Sequence, residues 1–339
     1  MASHMRAWRT EASGRIEDTL KLVDDAPRPN DLLTAGQILI RVASASLNPA
    51  DYKIRAAGMF TKLMLKFPNT PGMDLSGRVV AVGEGVTDVK AGDAVMARVE
   101  PLKGDDGSLS EYVVVGHDAY ALVPADVDLD AAAAVPTAGL TAYQTIAPYV
   151  KAGDKVFING GSGGVGTFGI QVAKALGCHV TVSCSTAKKA LCEELGADET
   201  IDYKVSDLMA ELKKKGPVFS LAVDNVGLSP GDFYEKSATF LLPSANFIHI
   251  GGSPTLASTS KTLKSIFLPS FLGGGKNKFV YYLTKNKHDD LAQIAQWMAE
   301  GKVKAIIDST YEFEDTPKAF EHLKKGTSTG KVIVHVSKV

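Results

Sequence analysis

From Ile38 to Val42 and from Leu75 to Val82, short β-branched runs lie between glycine, proline and asparagine, with no apolar residue recurring at helical spacing. The pattern predicts strands, and it continues through Ala94 to Val99, Ser110 to Val115 and Tyr120 to Val123. Gly83-Glu84-Gly85-Val86 and Lys90-Ala91-Gly92-Asp93 supply the turn residues of a hairpin feeding the strand at Ala94. A further strand is expected near Arg6. After Asp128 the texture changes to an alanine-rich helix, Leu129 to Val135, followed by strands alternating with helices. Val156 to Asn159, His179 to Cys184, Glu199 to Ile201, Leu221 to Asn225 and Phe247 to Ile250 read as strands. Val165 to Leu176 and Lys188 to Leu195 read as helices, with Gly177 and Gly196 where a helix end favours a left-handed residue. Such alternation predicts parallel βαβ units. Phe279 to Leu283 is a candidate to close the sheet. A helix from Asp289 to Glu300, a strand near Ile306, a helix from Pro317 to Lys324 and a strand from Val332 to Val336 are expected to return to the first domain. The reading is an α/β chain with a β-rich domain over 5–128 completed by 285–339, and a doubly wound parallel sheet over 129–284. Residues 1–4 read as an expression remnant.

Composition narrows the partners. Lys plus Arg number 37 against 38 Asp plus Glu, so no global field draws the chain to nucleic acid or to anionic lipid. No apolar run approaches the ~20 residues needed to span a bilayer. The cysteines, Cys178, Cys184 and Cys192, are odd in number and crowded, unlike a disulfide framework, which suggests a reducing, cytoplasmic setting.

The strongest chemical signal is Gly161-Ser162-Gly163-Gly164-Val165-Gly166, set between the strand ending at Asn159 and an apolar-faced helix. In that context the first glycine permits a sharp turn, the second lets a pyrophosphate approach the backbone, and the third lets helix and strand pack closely. The helix N-terminus adds unpaired N–H groups and a positive dipole end. About 20 residues on, an NAD site would place a carboxylate for the ribose 2′-hydroxyl. Here the stretch is Val182-Ser183-Cys184-Ser185-Thr186-Ala187-Lys188-Lys189, so hydroxyls and lysines favour the 2′-phosphate of NADPH (or NADP+).

Several motifs in order give the chain a wider likeness. They are Ser46-Leu47-Asn48-Pro49-Ala50-Asp51-Tyr52, Pro71-Gly72-Met73-Asp74-Leu75-Ser76-Gly77, Val82-Gly83-Glu84-Gly85-Val86, Ala138-Gly139-Leu140-Thr141-Ala142-Tyr143, the glycine turn, and Leu195-Gly196-Ala197-Asp198. Together they resemble the zinc-free, quinone oxidoreductase-like branch of the medium-chain dehydrogenase/reductase superfamily, over nearly the whole chain. The resemblance implies a GroES-like β-rich catalytic domain and a Rossmann domain, with the nicotinamide in the cleft between them. It implies Ser162, Gly164 and Val165 at the pyrophosphate, Ser185, Lys189 and Tyr203 around the adenosine phosphate, and Thr141 on the nicotinamide side. Asn225 and Val226 would lie near the nicotinamide ribose, Gly251 and Gly252 would end the next strand, and Lys331 would reach the cofactor. Where zinc alcohol dehydrogenases carry a cysteine and a Gly-His-Glu, this chain has Asn48 and Gly72-Met73-Asp74. With His117, His179, His249, His288, His322 and His335 scattered along the chain, no metal site is expected.

These readings converge on hydride transfer from NADPH to a small apolar acceptor, a quinone or the C=C bond of an α,β-unsaturated carbonyl. A conjugated acceptor spreads developing charge and can rely on hydrogen bonds in place of a Lewis acid. Asn48, Asp51 and Tyr52 are the catalytic candidates, with Tyr52 or solvent as proton donor. Met59 to Phe67 and Ile266 to Phe279 are the expected substrate-pocket segments. The alternatives are a stand-alone enoyl reductase of a biosynthetic pathway and a non-catalytic NADPH-binding regulatory or structural protein. Lys278-Phe279-Val280-Tyr281-Tyr282-Leu283 suits an edge strand pairing across a two-fold axis, hence an expected homodimer, with a monomer as the alternative.

Overall fold

The computed structural model describes residues 3–104, 106–227, 231–251, 265, 268 and 274–339. Strands β1 (His4–Thr10) and β2 (Leu20–Pro27) form a hairpin around the short helix α1 (Ile16–Thr19). β3 (Gln37–Leu47) leads into α2 (Pro49–Lys53) and α3 (Met59–Met64), then β4 (Asp74–Val82), β5 (Ala94–Arg98), β6 (Tyr112–Gly116) and β7 (Tyr120–Leu122). Along β6 the burial alternates, with Val113 and Val115 inward, the period of a sheet wetted on one side. Gly72, at φ +98°, makes the turn into β4, a conformation that a side chain rarely adopts.

The alanine run forms only a short helix, α4 (Leu129–Ala133), because Pro136 opens a second one, α5 (Pro136–Ile146), which the sequence reading lacked. Then come β8 (Lys155–Asn159), α6 (Gly164–Ala175), β9 (His179–Cys184), α7 (Lys189–Glu194), β10 (Glu199–Asp202), α8 (Leu208–Lys215), β11 (Phe219–Asp224), β12 (Leu241–Ile250) and β13 (Lys278–Tyr282). The chain ends with α9 (His288–Ala299), β14 (Ile307–Glu312), α10 (Thr316–Lys324) and β15 (Lys331–His335).

Two compact units result. One is the chain up to Leu140 together with Asn286–Val339, and the other is Thr141–Lys285. The first runs past residue 128, where the sequence reading placed its end, because α4 packs on β3, β4 and β5. Its seven-stranded sheet has the order β14-β15-β3-β4-β5-β7, with β6 also on β3, and its core joins Ile40, Val42, Leu75 and Val95 to Phe320 and Val332. The returning segment is therefore part of this core.

In the second unit the order is β10-β9-β8-β11-β12-β13, every neighbouring pair parallel. Counted from β8 this is the 3-2-1-4-5-6 order of a Rossmann sheet, with its switch point beside β8. Phe157, Phe219, Phe233, Phe240 and Phe247 fill the core on one side. β12 begins well before Phe247, at Leu241, and the sequence reading missed its start because Pro243, Ser244 and Asn246 break the apolar run. α8 also went unread, since Leu208 and Leu212 are its only buried residues.

Candidate active site and nicotinamide cradle

In the first unit, strand register gathers residues far apart in sequence. β15 pairs antiparallel with β3 so that Val332 faces Leu47, and β3 pairs with β4 so that Ser46 faces Asp74. Asn48, Asp74 and Lys331 thereby meet at one end of three adjacent strands. Lys331 Nζ donates to Asn48 Oδ1 at 2.6 Å, to Asp74 Oδ2 at 3.2 Å and to the Leu47 carbonyl at 3.2 Å. Asn48 Nδ2 donates to Asp74 Oδ2 at 2.8 Å, and the Thr137 N–H and hydroxyl donate to Asp74 Oδ1 at 2.9 and 2.6 Å. All three members are buried, Lys331 only 3% exposed. The sequence reading placed Lys331 on the cofactor; here its ammonium is enclosed by the Asn48 group. Asp74, which the sequence reading noted only as part of Gly72-Met73-Asp74, and Thr137, which it did not single out, are members of this group, Asp74 through the sheet register and Thr137 through its bonds to Asp74.

Asp51 lies beside the group in α2. Its Oδ2 accepts the Asn48 N–H at 2.7 Å, while its Oδ1 has no partner among the described residues. Burial, with Asp74 adding like charge, pushes the Asp51 carboxyl up to about 7 against the pull of the Asn48 N–H, Arg55 and Lys331. Tyr52 stands apart. Its ring packs against the apolar core with Lys324 Nζ 5.7 Å from the ring centroid, and burial together with Glu17 raises its hydroxyl pKa. These surroundings make it a weaker acid, which does not favour Tyr52 over solvent as the proton donor.

The residues of the Asn48 group do not suit a catalytic zinc. They offer an amide, a carboxylate and an ammonium, with no thiolate or imidazole, and the ammonium itself fills the space between the two oxygen donors.

In the second unit, Gly161, Ser162, Gly163, Gly164, Val165 and Gly166 connect β8 to α6. The first i→i−4 bond of α6 runs from Thr167 N–H to the Gly163 carbonyl at 2.9 Å, so the N–H groups of Gly164, Val165 and Gly166 precede it at the helix start. A Cβ on Gly166 would lie 2.1 Å from the Gly160 carbonyl oxygen and 2.7 Å from Gly161, so only hydrogen lets helix and turn close up. Beneath the turn a buried polar chain crosses four strand ends. Gly160 N–H donates to Ser183 Oγ, which bonds Asn159 Oδ1, and Asn159 Nδ2 bonds Asp224 Oδ1, whose other oxygen meets His249 Nδ1 at 3.0 Å. The sequence gave no sign of this chain, which fixes the turn from below.

Toward the adenosine end, Ser185 follows β9 and Lys188 and Lys189 lie in the next turn and helix start. Tyr203 is half exposed and tied to β9 by its N–H to the Cys184 carbonyl, which brings it alongside Ser185. A carboxylate is present after all, contributed by β10 rather than β9. Asp202 accepts hydrogen bonds from Thr186 and from the Lys204 N–H, and the Thr186 bond leads the lowering of its pKa. Across the switch point, Asn225 follows β11, and both polar atoms of its amide are buried without a partner among the described residues. An orphaned amide there fits a ligand's ribose or carboxamide. Val226 is exposed, Gly251 ends β12 at φ +70°, and Thr141 Oγ1 pairs with Thr284 Oγ1 at 2.5 Å. Gly252 lies outside the described residues, as does half of the expected pocket segment 266–279, whose last residues start β13.

Two histidines expected to stand alone do not. His117 and His288 stack with ring centroids 4.3 Å apart.

A Rossmann sheet with a glycine cradle, joined in one chain to a β-rich unit, defines a nicotinamide-dependent oxidoreductase architecture. The comparisons agree. Residues 34–126 match the alcohol dehydrogenase GroES-like domain family and residues 195–334 the zinc-binding dehydrogenase family. The chain is 41% identical to a trans-enoyl reductase of Aspergillus terreus, pgmF, across 98% of its own length and 97% of the relative's. It is 33% identical to the human mitochondrial NAD(P)H oxidoreductase RTN4IP1, across 98% and 89%. The structure of the quinone oxidoreductase from Coxiella burnetii superposes with a TM-score of 0.83 at 29% identity, covering 98% of this chain and all of that one. The chain belongs to the medium-chain dehydrogenase/reductase superfamily, in its quinone oxidoreductase-like branch. No helix among the described residues is long and apolar enough to cross a membrane.

Proposed function

We propose that this protein is a zinc-independent, NADPH-dependent reductase of conjugated acceptors, the C=C bond of an α,β-unsaturated carbonyl or enoyl substrate in the first place and a quinone in the second. The observation that carries this reading is the Asn48–Asp74–Lys331 group, where a lysine ammonium stands among groups that include no thiolate or imidazole. Without coordination to a metal, an alkoxide has no strong stabiliser, whereas an enolate or quinol distributes its charge. Likeness to a trans-enoyl reductase at 41% identity favours the enoyl over the quinone acceptor.

When bound, NADPH supplies the hydride. The chain's residues bind and orient. The N–H groups at the α6 start receive the pyrophosphate, Asn225 offers its unpaired amide to the nicotinamide half, and Ser185, Lys189 and Tyr203 surround the 2′-phosphate. Asp202 does not oppose this, because Thr186 and Lys204 hold its carboxylate. Asn48 is kept in one orientation by Lys331 and Asp74 and presents a fixed dipole. The proton that completes the reduction comes from solvent. β13 forms the end of its sheet, with Tyr281 exposed, and is the edge through which two copies would pair.

The test is NADPH oxidation followed across enones, enals, enoyl thioesters and quinones, before and after prolonged chelation. Turnover of the conjugated acceptors that survives chelation is expected. Chelator-sensitive oxidation of simple alcohols, with no enone or quinone reduced, would overturn the proposal.

A further inference from the structure

In the first unit, three donor side chains meet at a place remote in sequence from both the Asn48 group and the glycine turn. Asp88 lies in the β4–β5 connection, His117 in the turn after β6, and His288 at the start of α9. One ligand atom from each lies within 4.8 Å of the others. His288 Nδ1 is 2.8 Å from the Tyr120 carbonyl, which only accepts, so the proton sits on Nδ1 and Nε2 keeps its lone pair. Tyr120 in turn donates its hydroxyl to Asp88 Oδ1 at 3.0 Å, leaving Oδ2 as the remaining donor atom. His117 Nε2 stops 3.9 Å short of that Oδ2.

Three other histidines among the described residues close directly on a carboxylate, and the pair that stays open, His179 and Glu199 at 3.9 Å, has no second imidazole beside it. His249 meets Asp224 at 3.0 Å, His322 meets Asp308 at 2.5 Å, and His335 meets Asp130 at 2.8 Å. Here two imidazoles and a carboxylate face one another at a separation too long for hydrogen bonds and suited to an ion in their midst. We propose that Asp88, His117 and His288 form a surface site for a divalent transition ion, zinc being the representative. Two imidazole nitrogens and one carboxylate oxygen are ligands for zinc rather than for magnesium or calcium. The imidazoles must turn out of their stack to converge. His117, whose side chain is half exposed, has the room to do so.

The buried Tyr120, which bonds both His288 and Asp88, orients two of the three ligands from behind. A cavity of about 180 Å³ lined by Asp88, Leu122, His288, Ala292 and Ala295 adjoins the site, so the ion's fourth position opens to water or a small ligand. Asp289 in the first turn of α9 offsets the unfavourable meeting of a cation with a helix N-terminus, while Asp290 neutralises the neighbouring Lys287 at 2.8 Å. An ion held there clamps the returning segment, through α9, to the strands of the same unit.

The test is a zinc titration of the EDTA-stripped, desalted full chain against a chromophoric chelator, run in parallel on His117→Ala, His288→Ala, Asp88→Asn and a control, His179→Ala. Circular dichroism and NADPH affinity would verify that each variant is folded. The parent and His179→Ala are expected to take up one zinc with micromolar affinity, and each ligand variant to bind at least about tenfold more weakly. Absence of saturable uptake by the parent at 100 micromolar zinc, or parental affinity and stoichiometry in both histidine variants, would overturn the site.

Discussion

Replacing Lys331 by methionine separates two roles for one lysine. Methionine matches the length of the stem but removes the ammonium, so Asn48 Oδ1, the Leu47 carbonyl and Asp74 Oδ2 each lose a donor in a place where Lys331 is 3% exposed. Breaking a buried ion pair from one side destabilises by about 3–5 kcal/mol. Asp74 retains three other hydrogen bonds, from Asn48 and from the N–H and hydroxyl of Thr137, which points to the lower end for the carboxylate. The two orphaned carbonyl-type oxygens then add about 1 kcal/mol each. A total near 5 kcal/mol lowers the melting temperature of a unit of this size by roughly 15 °C. Calorimetry on Lys331→Met, on Asp74→Asn and on the double variant measures this, with fluorescence titration reporting NADPH affinity. The double variant should recover at least about 1 kcal/mol relative to the sum of the single changes, since neither charge is then left alone. If Lys331→Met melts within about 2 °C of the parent while NADPH affinity falls tenfold or more, the ammonium serves the cofactor and the reasoning fails.

The remaining predictions probe one interaction each. Gly166→Ala, whose Cβ would sit 2.1 Å from the Gly160 carbonyl oxygen, should weaken NADPH binding at least about tenfold by titration; binding within twofold would mean the turn relaxes freely. Lys189→Glu should raise the KM for NADPH about tenfold or more and leave that for NADH within about threefold, and equal effects would count against a 2′-phosphate site. Asp51, raised in the fold from 3.8 to about 7, stabilises the protein below about pH 4 and loses that contribution as pH rises through 7, an effect bounded by ~4 kcal/mol. Urea unfolding at pH 5 and 8 should therefore show a smaller decline for Asp51→Asn than for the parent, and parallel curves would refute the shift. Tyr52→Phe should leave turnover within about twofold, whereas a ~100-fold drop would restore Tyr52 as the acid.

The second unit was the more legible because its signals are local. Three glycines spaced between a strand and a helix are read within a dozen residues, and so are Gly177 and Gly196, both at positive φ as expected. Pro136, and Pro243 within β12, misled the reading at single positions, where one residue breaks a pattern without ending the element. The first unit's chemistry was hidden for a different reason. Lys331 meets Asn48 only because β15 lies antiparallel on β3, and Asp74 joins only because β4 lies on β3's other side, and no spacing along the chain encodes those registers. His117 and His288 escaped notice in the same way, being joined by the return of the last segment to the first unit. Asp202 was missed because the search for an acid followed the end of β9 and not the neighbouring strand.

That difference bears on chemistry. A zinc ion in a dehydrogenase brings an exchangeable position, so an alcohol oxygen can enter its coordination sphere and leave as a carbonyl. The Lys331 ammonium is already engaged by Asn48, Asp74 and the Leu47 carbonyl, and these contacts are set by sheet register. A cation fully committed to its own protein can hold Asn48 still but cannot take up a substrate oxygen without breaking that group, at the several kcal/mol that burial imposes. Under the proposed function, hydride transfer beside such a group would favour acceptors that carry their own electron sink. Conjugated carbonyls and quinones do, and simple ketones do not, so the ratio of enone to ketone reduction should stay high in any variant that leaves Lys331, Asn48 and Asp74 intact.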